Sequence, residues 1–299
     1  MFSRYATLRV ARISFLVACG VFGYLGFRSE GASIAEALTH VHVVGIAAAY
    51  VLTVVGLYAA VSLWRGVARE FGLQIPPVQA ISIYFVSQLG KYIPGSVWSI
   101  GAQAALASAY QAKPRVTSAS GLVALGYFVT TGAACSALLG SLGQVRLPWP
   151  PYASMILLAG CVVALTPRVV NTAGSTVAGK ELRLSWRQCV LNVGLCVVLW
   201  TAWTLGVLAP FGDLRHILAI AAAFGISYAL GVLIVLAPAG LGPREALFIT
   251  LLAPVTSLPH AAALAVVSRL VHALADVSVA LLTWVWARRF DSPSRATHS

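Results

Sequence analysis

Two short interruptions stand out in otherwise apolar sequence: Gly90-Lys91-Tyr92-Ile93-Pro94-Gly95 and Pro238-Ala239-Gly240-Leu241-Gly242-Pro243-Arg244-Glu245. Each combines glycine and proline, which break helices, with charged side chains. Unwound backbone at membrane depth is stable only where it is buried in protein or lines a wet cavity, because an unpaired peptide group in hydrocarbon costs several kcal/mol. Transporters bind polar cargo at such breaks. The two interruptions are therefore candidate binding elements of a membrane protein.

The composition supports a membrane location. The chain has 299 residues, of which 59% are hydrophobic and 9% are charged, and its mean hydropathy is +0.87. That is too little polar surface to coat a soluble protein of this length. Uninterrupted apolar runs at 46–63 and 191–208 do not show the alternating polarity of a transmembrane β-barrel. The sequence predicts an all-α polytopic membrane protein.

The lengths of the apolar segments predict the number of spans. A helical span needs about 20 apolar residues, and six segments reach or approach this length: 10–27, 43–64, 117–142, 152–167, 189–209 and 260–287. Two more segments, 78–108 and 217–252, are broken by the interruptions, and we interpret them as re-entrant hairpins. We expect one integral membrane domain over 1–290, a basic interfacial segment from Pro167 to Arg187, and a disordered cytoplasmic tail at 291–299.

The basic residues set the orientation of the chain. The net charge is +12, but the basic residues cluster at segment ends rather than on a nucleic-acid-binding face. If both termini are cytoplasmic, the outer loops hold only Arg28, Arg146 and Arg215, as the positive-inside rule requires. The two hairpins then enter from opposite faces, in the manner of an inverted repeat. The excess of Arg over Lys, with abundant Ala and Gly, is typical of a bacterial protein, so we expect a bacterial cytoplasmic membrane protein.

Five ionisable residues are predicted at membrane depth: Lys91, Arg244, Glu245, Arg269 and Asp276. Each costs about 2.5–3.5 kcal/mol on insertion, which makes it a functional candidate. On the last helix, the spacing of Arg269 and Asp276 places both on one face together with His272. We expect that face to point into the bundle rather than toward lipid.

We expect the three cations to converge on a lipid phosphate. Positive helix N-termini near Ser96 and Arg244 would help them. Arginine suits this role because its planar fork matches phosphate oxygens. The two acids would balance the arginines in the empty site or carry protons. The predicted substrate-binding residues are Lys91, Arg244, Arg269, Glu245, Asp276 and Tyr92, and the predicted break residues are Pro94, Gly95, Pro238, Gly240, Gly242 and Pro243.

Structural explanations compete with these roles. Arg269 can form an internal salt bridge with Asp276 or Glu245, and His272 can be a helix-interior histidine bonded to a neighbour. Tyr92 and Trp98 can be interfacial anchors, and the two breaks can be ordinary surface loops. The five cysteines form no CxxC and all lie in apolar segments, which favours small core residues over disulfides or metal ligands.

Enzyme signatures are nearly absent. The chain has only eight acidic residues, without a pair suited to metal-assisted glycosyl transfer, a His/Cys cluster at ligand spacing or a nucleotide-binding glycine loop. No cofactor or metal is expected. In an enzyme, the active acid would have to be Glu245, Asp276 or a loop residue such as Asp213.

The two interruptions belong to longer motifs. The first is Gln88-Leu89-Gly90-Lys91-Tyr92-Ile93-Pro94-Gly95-Ser96-Val97-Trp98, and the second is Pro238-Ala239-Gly240-Leu241-Gly242-Pro243-Arg244-Glu245-Ala246, followed downstream by Arg269. Together they resemble the lysylphosphatidylglycerol synthase transmembrane-region family of flippase-like membrane proteins. The similarity runs from about residue 10 to 287. It implies a membrane domain that moves a lipid between leaflets. Pro243 departs from the aliphatic residue that is more usual in the family. The chain shows no soluble synthase domain, so aminoacyl transfer is not carried over.

The leading hypothesis is a lipid translocase that moves a phosphate-bearing lipid, such as a phospholipid or polyprenyl-phosphate glycolipid. The alternatives are a membrane glycosyltransferase, or an accessory subunit, in polyprenyl-phosphate sugar metabolism, and a transporter of small solutes or ions. The expected partners are an anionic or polyprenyl-phosphate lipid, the membrane itself and a glycosyltransferase or lipid-synthesis protein, but no nucleic acid.

Overall fold

The computed structural model describes residues 32–33, 35–39, 41–92, 98–212, 214–233 and 242–290. The predicted first span at 10–27 and the tail at 291–299 lie outside the described residues. So do four break residues and one loop acid, namely Pro94, Gly95, Pro238, Gly240 and Asp213. Every regular element in the described ranges is helical, which confirms the predicted all-α fold.

The helices considered below begin after His42. In chain order they are α1 (Val43–Glu70), α2 (Pro77–Gln88), α3 (Trp98–Ala107), α4 (Pro114–Ser141), α5 (Pro151–Ala164), α6 (Pro167–Ala178), α7 (Trp186–Leu208), α8 (Ile217–Leu233), α9 (Pro243–Leu252) and α10 (Leu258–Phe290). Among the described residues, α1, α4, α7 and α10 are each long and apolar enough to cross a membrane. They confirm four of the predicted spans and make the chain a multi-pass membrane protein.

The predicted span at 152–167 is shorter than expected. Its helix, α5, has 14 residues, and the chain bends by 66° into α6. The bend follows from Pro167, because a residue before proline is disfavoured in the helical conformation, and Thr166 is extended with ψ 147°. The described residues therefore contain four candidate spans, or five if α5 and α6 together form one. Because the predicted span at 10–27 lies outside the described residues, the predicted total of six is not confirmed. Helix α6 itself is amphipathic, as the predicted interfacial segment requires.

The surfaces of the long helices indicate contact with lipid. Large apolar side chains such as Val51, Val197 and Leu270 are exposed along α1, α7 and α10. Exposed apolar area of this extent would be costly in water. On α10 the polar face points into the protein, because Asp276 is only 3% exposed whereas Leu270 is 65% exposed. The prediction that the charged face of this helix points into the bundle is confirmed.

The helices on either side of each interruption pack against each other. Helix α2 packs against α3, and α8 packs against α9; we call these the first and second helix pairs. A 3-10 turn, Leu89–Tyr92, follows α2. Gly90 lies in this turn, and a Cβ there would come within 2.9 Å of the Ser99 backbone nitrogen in α3. Helix α10 packs against both α2 and α9, so its polar face lies between the two pairs.

Glycines let α4 and α8 cross closely. Ser136 on α4 donates a hydrogen bond of 2.7 Å to the Ala222 carbonyl oxygen on α8. A Cβ on Gly225 would lie 2.6 Å from the Gly132 carbonyl oxygen. Small residues permit this approach between membrane helices, whose association depends on van der Waals contact and hydrogen bonds.

We expect Gly225→Ala to lower the free energy of unfolding by about 1–3 kcal/mol, the usual range for overpacking. The added methyl group would meet backbone atoms that cannot move aside without separating the helices. Denaturant titration in detergent micelles measures the change. The matched control is Gly194→Ala on α7, where an added Cβ has no atom within 4 Å. Equal destabilisation by the two substitutions would contradict this explanation of the crossing.

Candidate functional site

A cavity lies among α2, α3, α4, α8, α9 and α10. It encloses about 1450 Å³ of empty space, including the part open to the outside. The part of it that a water-sized sphere can occupy measures about 220 Å³, enough for a small polar group together with water. The polar residues that line it are Tyr84, Gln88, Lys91, Tyr92, Ser99, Gln103, Tyr228, Arg244, Arg269, His272 and Asp276.

Asp276 ties α10 to the turn that follows α2. Its Oδ2 atom lies 2.6 Å from Lys91 Nζ and accepts a hydrogen bond of 2.6 Å from the Tyr92 hydroxyl. The carboxylate is buried, whereas the Lys91 side chain is 32% exposed. A buried carboxylate needs such partners, because a lone ion in a low-dielectric environment is strongly destabilising. Asp276 therefore fixes the position of Lys91 and Tyr92 at the edge of the cavity.

Glu245 ties α10 to the start of α9. Its Oε1 atom lies 3.7 Å from Arg269 Nη1, and its Oε2 atom accepts a hydrogen bond of 2.9 Å from the Gly242 N–H. Gly242 has φ 92°, a conformation suited to glycine, and Pro243 occupies the first turn of α9, where its missing N–H has no cost. Glu245 thus combines a cap on the helix with an ion pair, one of the two pairings that the sequence allows for Arg269.

Arg244 is held by aromatic rings instead of a carboxylate. Its Cζ atom lies 4.9 Å from the centre of the Phe224 ring and 5.4 Å from that of Tyr228. Among the described residues, no carboxylate oxygen lies within 4.0 Å of its guanidinium group. Ring faces attract the cation but leave its N–H donors unused. Arg244 therefore presents these donors to a cavity that it lines.

His272 lies on the same face of α10. Its Nδ1 atom is 2.8 Å from the Ser268 carbonyl oxygen. Since a carbonyl only accepts, Nδ1 carries the hydrogen in the neutral ring and Nε2 is an acceptor. Nε2 is buried and has no hydrogen-bond partner among the described residues. The ring contacts Trp203 with a centroid separation of 5.1 Å. The expectation of a histidine bonded to a neighbour in its own helix is confirmed, and the ring also lines the cavity.

The charges of the cavity favour an anion. Three cations line it, namely Lys91, Arg244 and Arg269, whereas Asp276 is the one carboxylate found there in the described part of the chain. Two of the cations already have a carboxylate partner, and Arg244 does not. Arginine donors in a partly dry site suit phosphate oxygens, which accept two parallel hydrogen bonds.

The cavity brings together most of the predicted binding residues. Lys91, Tyr92, Arg244, Arg269 and Asp276 all line it. Glu245 is not among the lining residues and acts behind them through Arg269. The expectation that both acids balance arginines holds only for Glu245, because Asp276 pairs with Lys91. Gly242 and Pro243 lie at the start of α9, as expected of break residues.

Several lining residues were not predicted from the sequence. Trp203 and Tyr228 lie in long apolar helices, where an aromatic residue has the same pattern as a core residue. Gln103 is a neutral polar residue in α3, a helix rich in small residues, and it has no charge that would mark it as a candidate. A useful signal would have been that Gln103, like Gln88, is an amide-bearing residue within an apolar segment beside a helix break.

A scan against protein-family models finds no match, and a search of curated proteins finds no significant relative.

Proposed function

We propose that this protein is a lipid translocase that binds a phosphate-bearing lipid headgroup in the cavity and moves the lipid between leaflets. The observation that carries the proposal is Arg244, a cavity-lining cation that stacks on two rings and has no carboxylate partner within 4.0 Å among the described residues. Burying a cation without a counter-charge in an apolar bundle is costly, which makes this residue a functional candidate. A phosphate would supply the missing counter-charge.

The other charged residues fit this role. Arg269 lies with its Cζ atom 5.9 Å from the centre of the Tyr92 ring, and Lys91 contacts the same ring from 5.5 Å. Both cations are therefore arranged around one side chain at the cavity edge. A phosphate held by Arg244 would lie in the cavity that Lys91 and Arg269 also line, so these cations would add to its attraction.

The same features support a proposed arrangement in the membrane. The two helix pairs act as re-entrant hairpins, and Lys91, Tyr92 and Arg244 beside their breaks line the cavity, while the lipid tails remain in the bilayer. Both termini lie in the cytoplasm of a bacterial cell, with the basic ends of the spans on that side. A lipid-synthesis enzyme supplies or consumes the lipid that is moved.

Transbilayer movement in proteoliposomes tests the proposal. Acyl-labelled lipids of several classes are placed in both leaflets, and a membrane-impermeant quencher reports how fast the inner pool reaches the outer surface. We expect faster movement than in empty liposomes for at least one phosphate-bearing class. Rates equal to those of empty liposomes for every class would contradict the proposal.

A further inference from the structure

The cavity contains a second group of polar side chains besides the cations. Gln103 on α3 is 2% exposed and lines the cavity. Its amide has no hydrogen-bond partner among the described residues. Gln88 on α2 and Ser99 on α3 line the same space and are likewise free of partners there. Amides and hydroxyls without a protein partner are left to bond with water or a ligand in the cavity.

The position of Gln103 depends on the neighbouring helix. Helix α3 packs against α4, and a Cβ on Gly121 would lie 2.6 Å from Gln103 Oε1. The glycine thus leaves the space that the amide oxygen occupies. A larger residue at 121 would push the amide out of its present position, even though the rest of the helix could remain in place.

The chemistry of this group differs from that of the cations. Two amides and a hydroxyl can both donate and accept hydrogen bonds but carry no charge. They suit hydroxyl groups, which also donate and accept. They offer nothing specific to an ammonium group. Asp276, the carboxylate that lines the cavity in the described chain, already bonds to Lys91 and Tyr92, so it is not available to an ammonium.

We propose that Gln103, with Gln88 and Ser99, forms a subsite for the neutral, hydroxyl-rich part of a lipid headgroup whose phosphate binds at Arg244. This subsite rests on the proposed function and specifies its substrate class. The preferred lipid carries a glycerol or sugar on its phosphate. A bare phosphate lipid lacks the group that the amides recognise, and an aminoacylated headgroup brings a positive charge for which the described lining offers no unpaired carboxylate.

Matched lipid pairs test the subsite in proteoliposomes. One pair is acyl-labelled phosphatidic acid and phosphatidylglycerol, and the other is a labelled short-chain polyprenyl phosphate and its hexose conjugate. In each pair only the second member has hydroxyl groups beyond the phosphate. We expect the wild-type protein to move the hydroxylated member faster in at least one pair. Gln103→Leu should reduce that preference about 5-fold or more, the effect of one or two neutral hydrogen bonds, while movement of the bare phosphate lipid is retained.

Two further variants separate the subsite from a general folding defect. Gly121→Ala should weaken the preference in the same direction because its methyl group displaces the Gln103 amide. Gly126→Ala on the same helix adds a methyl group with no atom within 4 Å, so it should change nothing. Lipid movement without a preference in either pair, or a preference that survives Gln103→Leu, would overturn the subsite and leave the translocase proposal standing. Failure of the wild-type protein to move any of the four lipids would overturn both.

Discussion

Arg244→Gln should slow the movement of a phosphate-bearing lipid by about 10- to 100-fold. Charged hydrogen bonds contribute about 1.5–3 kcal/mol each, and each 1.4 kcal/mol corresponds to about a factor of ten. Glutamine has a shorter polar side chain without charge, so it can neither attract the phosphate nor offer the two parallel N–H donors. Initial rates of label exposure in proteoliposomes, normalised to the amount of protein, measure the loss.

Two other substitutions show whether the loss arises from the phosphate. Arg244→Lys keeps the charge but loses the planar fork and its stacking on Phe224 and Tyr228, so it should give an intermediate rate. Arg288 provides a matched control, because its Cζ atom also lies over a ring, 3.7 Å from the centre of Trp284, but outside the cavity. Arg288→Gln should leave movement unchanged. Equal losses at positions 244 and 288 would mean that the cavity is not the site of binding.

Asp276→Asn should lower the free energy of unfolding by about 2–3 kcal/mol. Breaking a buried ion pair costs about 3–5 kcal/mol, and the partial exposure of Lys91 reduces this. Asparagine can still bond to the Tyr92 hydroxyl, so the loss isolates the charge interaction with Lys91. Denaturant titration in micelles measures it. Combining the change with Lys91→Met completes a double-mutant cycle, in which the second substitution should cost less than it does alone.

The exposed pair of Glu181 and Arg183 is the control for this experiment. The Glu181 Oε1 and Arg183 Nε atoms lie 2.7 Å apart, and both side chains are largely exposed. Pairs in such positions contribute little because water and salt screen them. Glu181→Gln should therefore leave the unfolding curve in place. Additive effects of the Asp276 and Lys91 substitutions would show that the contact at 2.6 Å does not hold the turn against α10.

The long spans and the charged face of the last helix could be predicted from the sequence. An apolar run of sufficient length has few alternatives to a membrane helix. The spacing of Arg269, His272 and Asp276 places them on one face by helical geometry alone. The cost of burying charge in lipid then requires that face to point inward, as the structure shows.

The partners of those charged residues could not be predicted. Whether Asp276 meets Lys91 or Arg269 depends on how α10 lies between the two helix pairs, and this arrangement is a tertiary property. The aromatic support of Arg244 comes from α8, a helix so apolar throughout that no face stands out in its sequence. The early end of α5 was not predicted because the sequence stays apolar almost to Pro167, where the next helix begins.

The central claim is that the cavity holds a lipid phosphate at Arg244. Native mass spectrometry of the purified protein with an equimolar mixture of phosphatidylglycerol and a phosphate-free diglucosyl diacylglycerol of the same chain length tests it most directly. We expect the wild-type protein to retain phosphatidylglycerol in preference to the glycolipid, and Arg244→Gln to abolish that preference while Arg288→Gln keeps it. Equal retention of the two lipids by the wild-type protein, or an unchanged preference in Arg244→Gln, would contradict the claim.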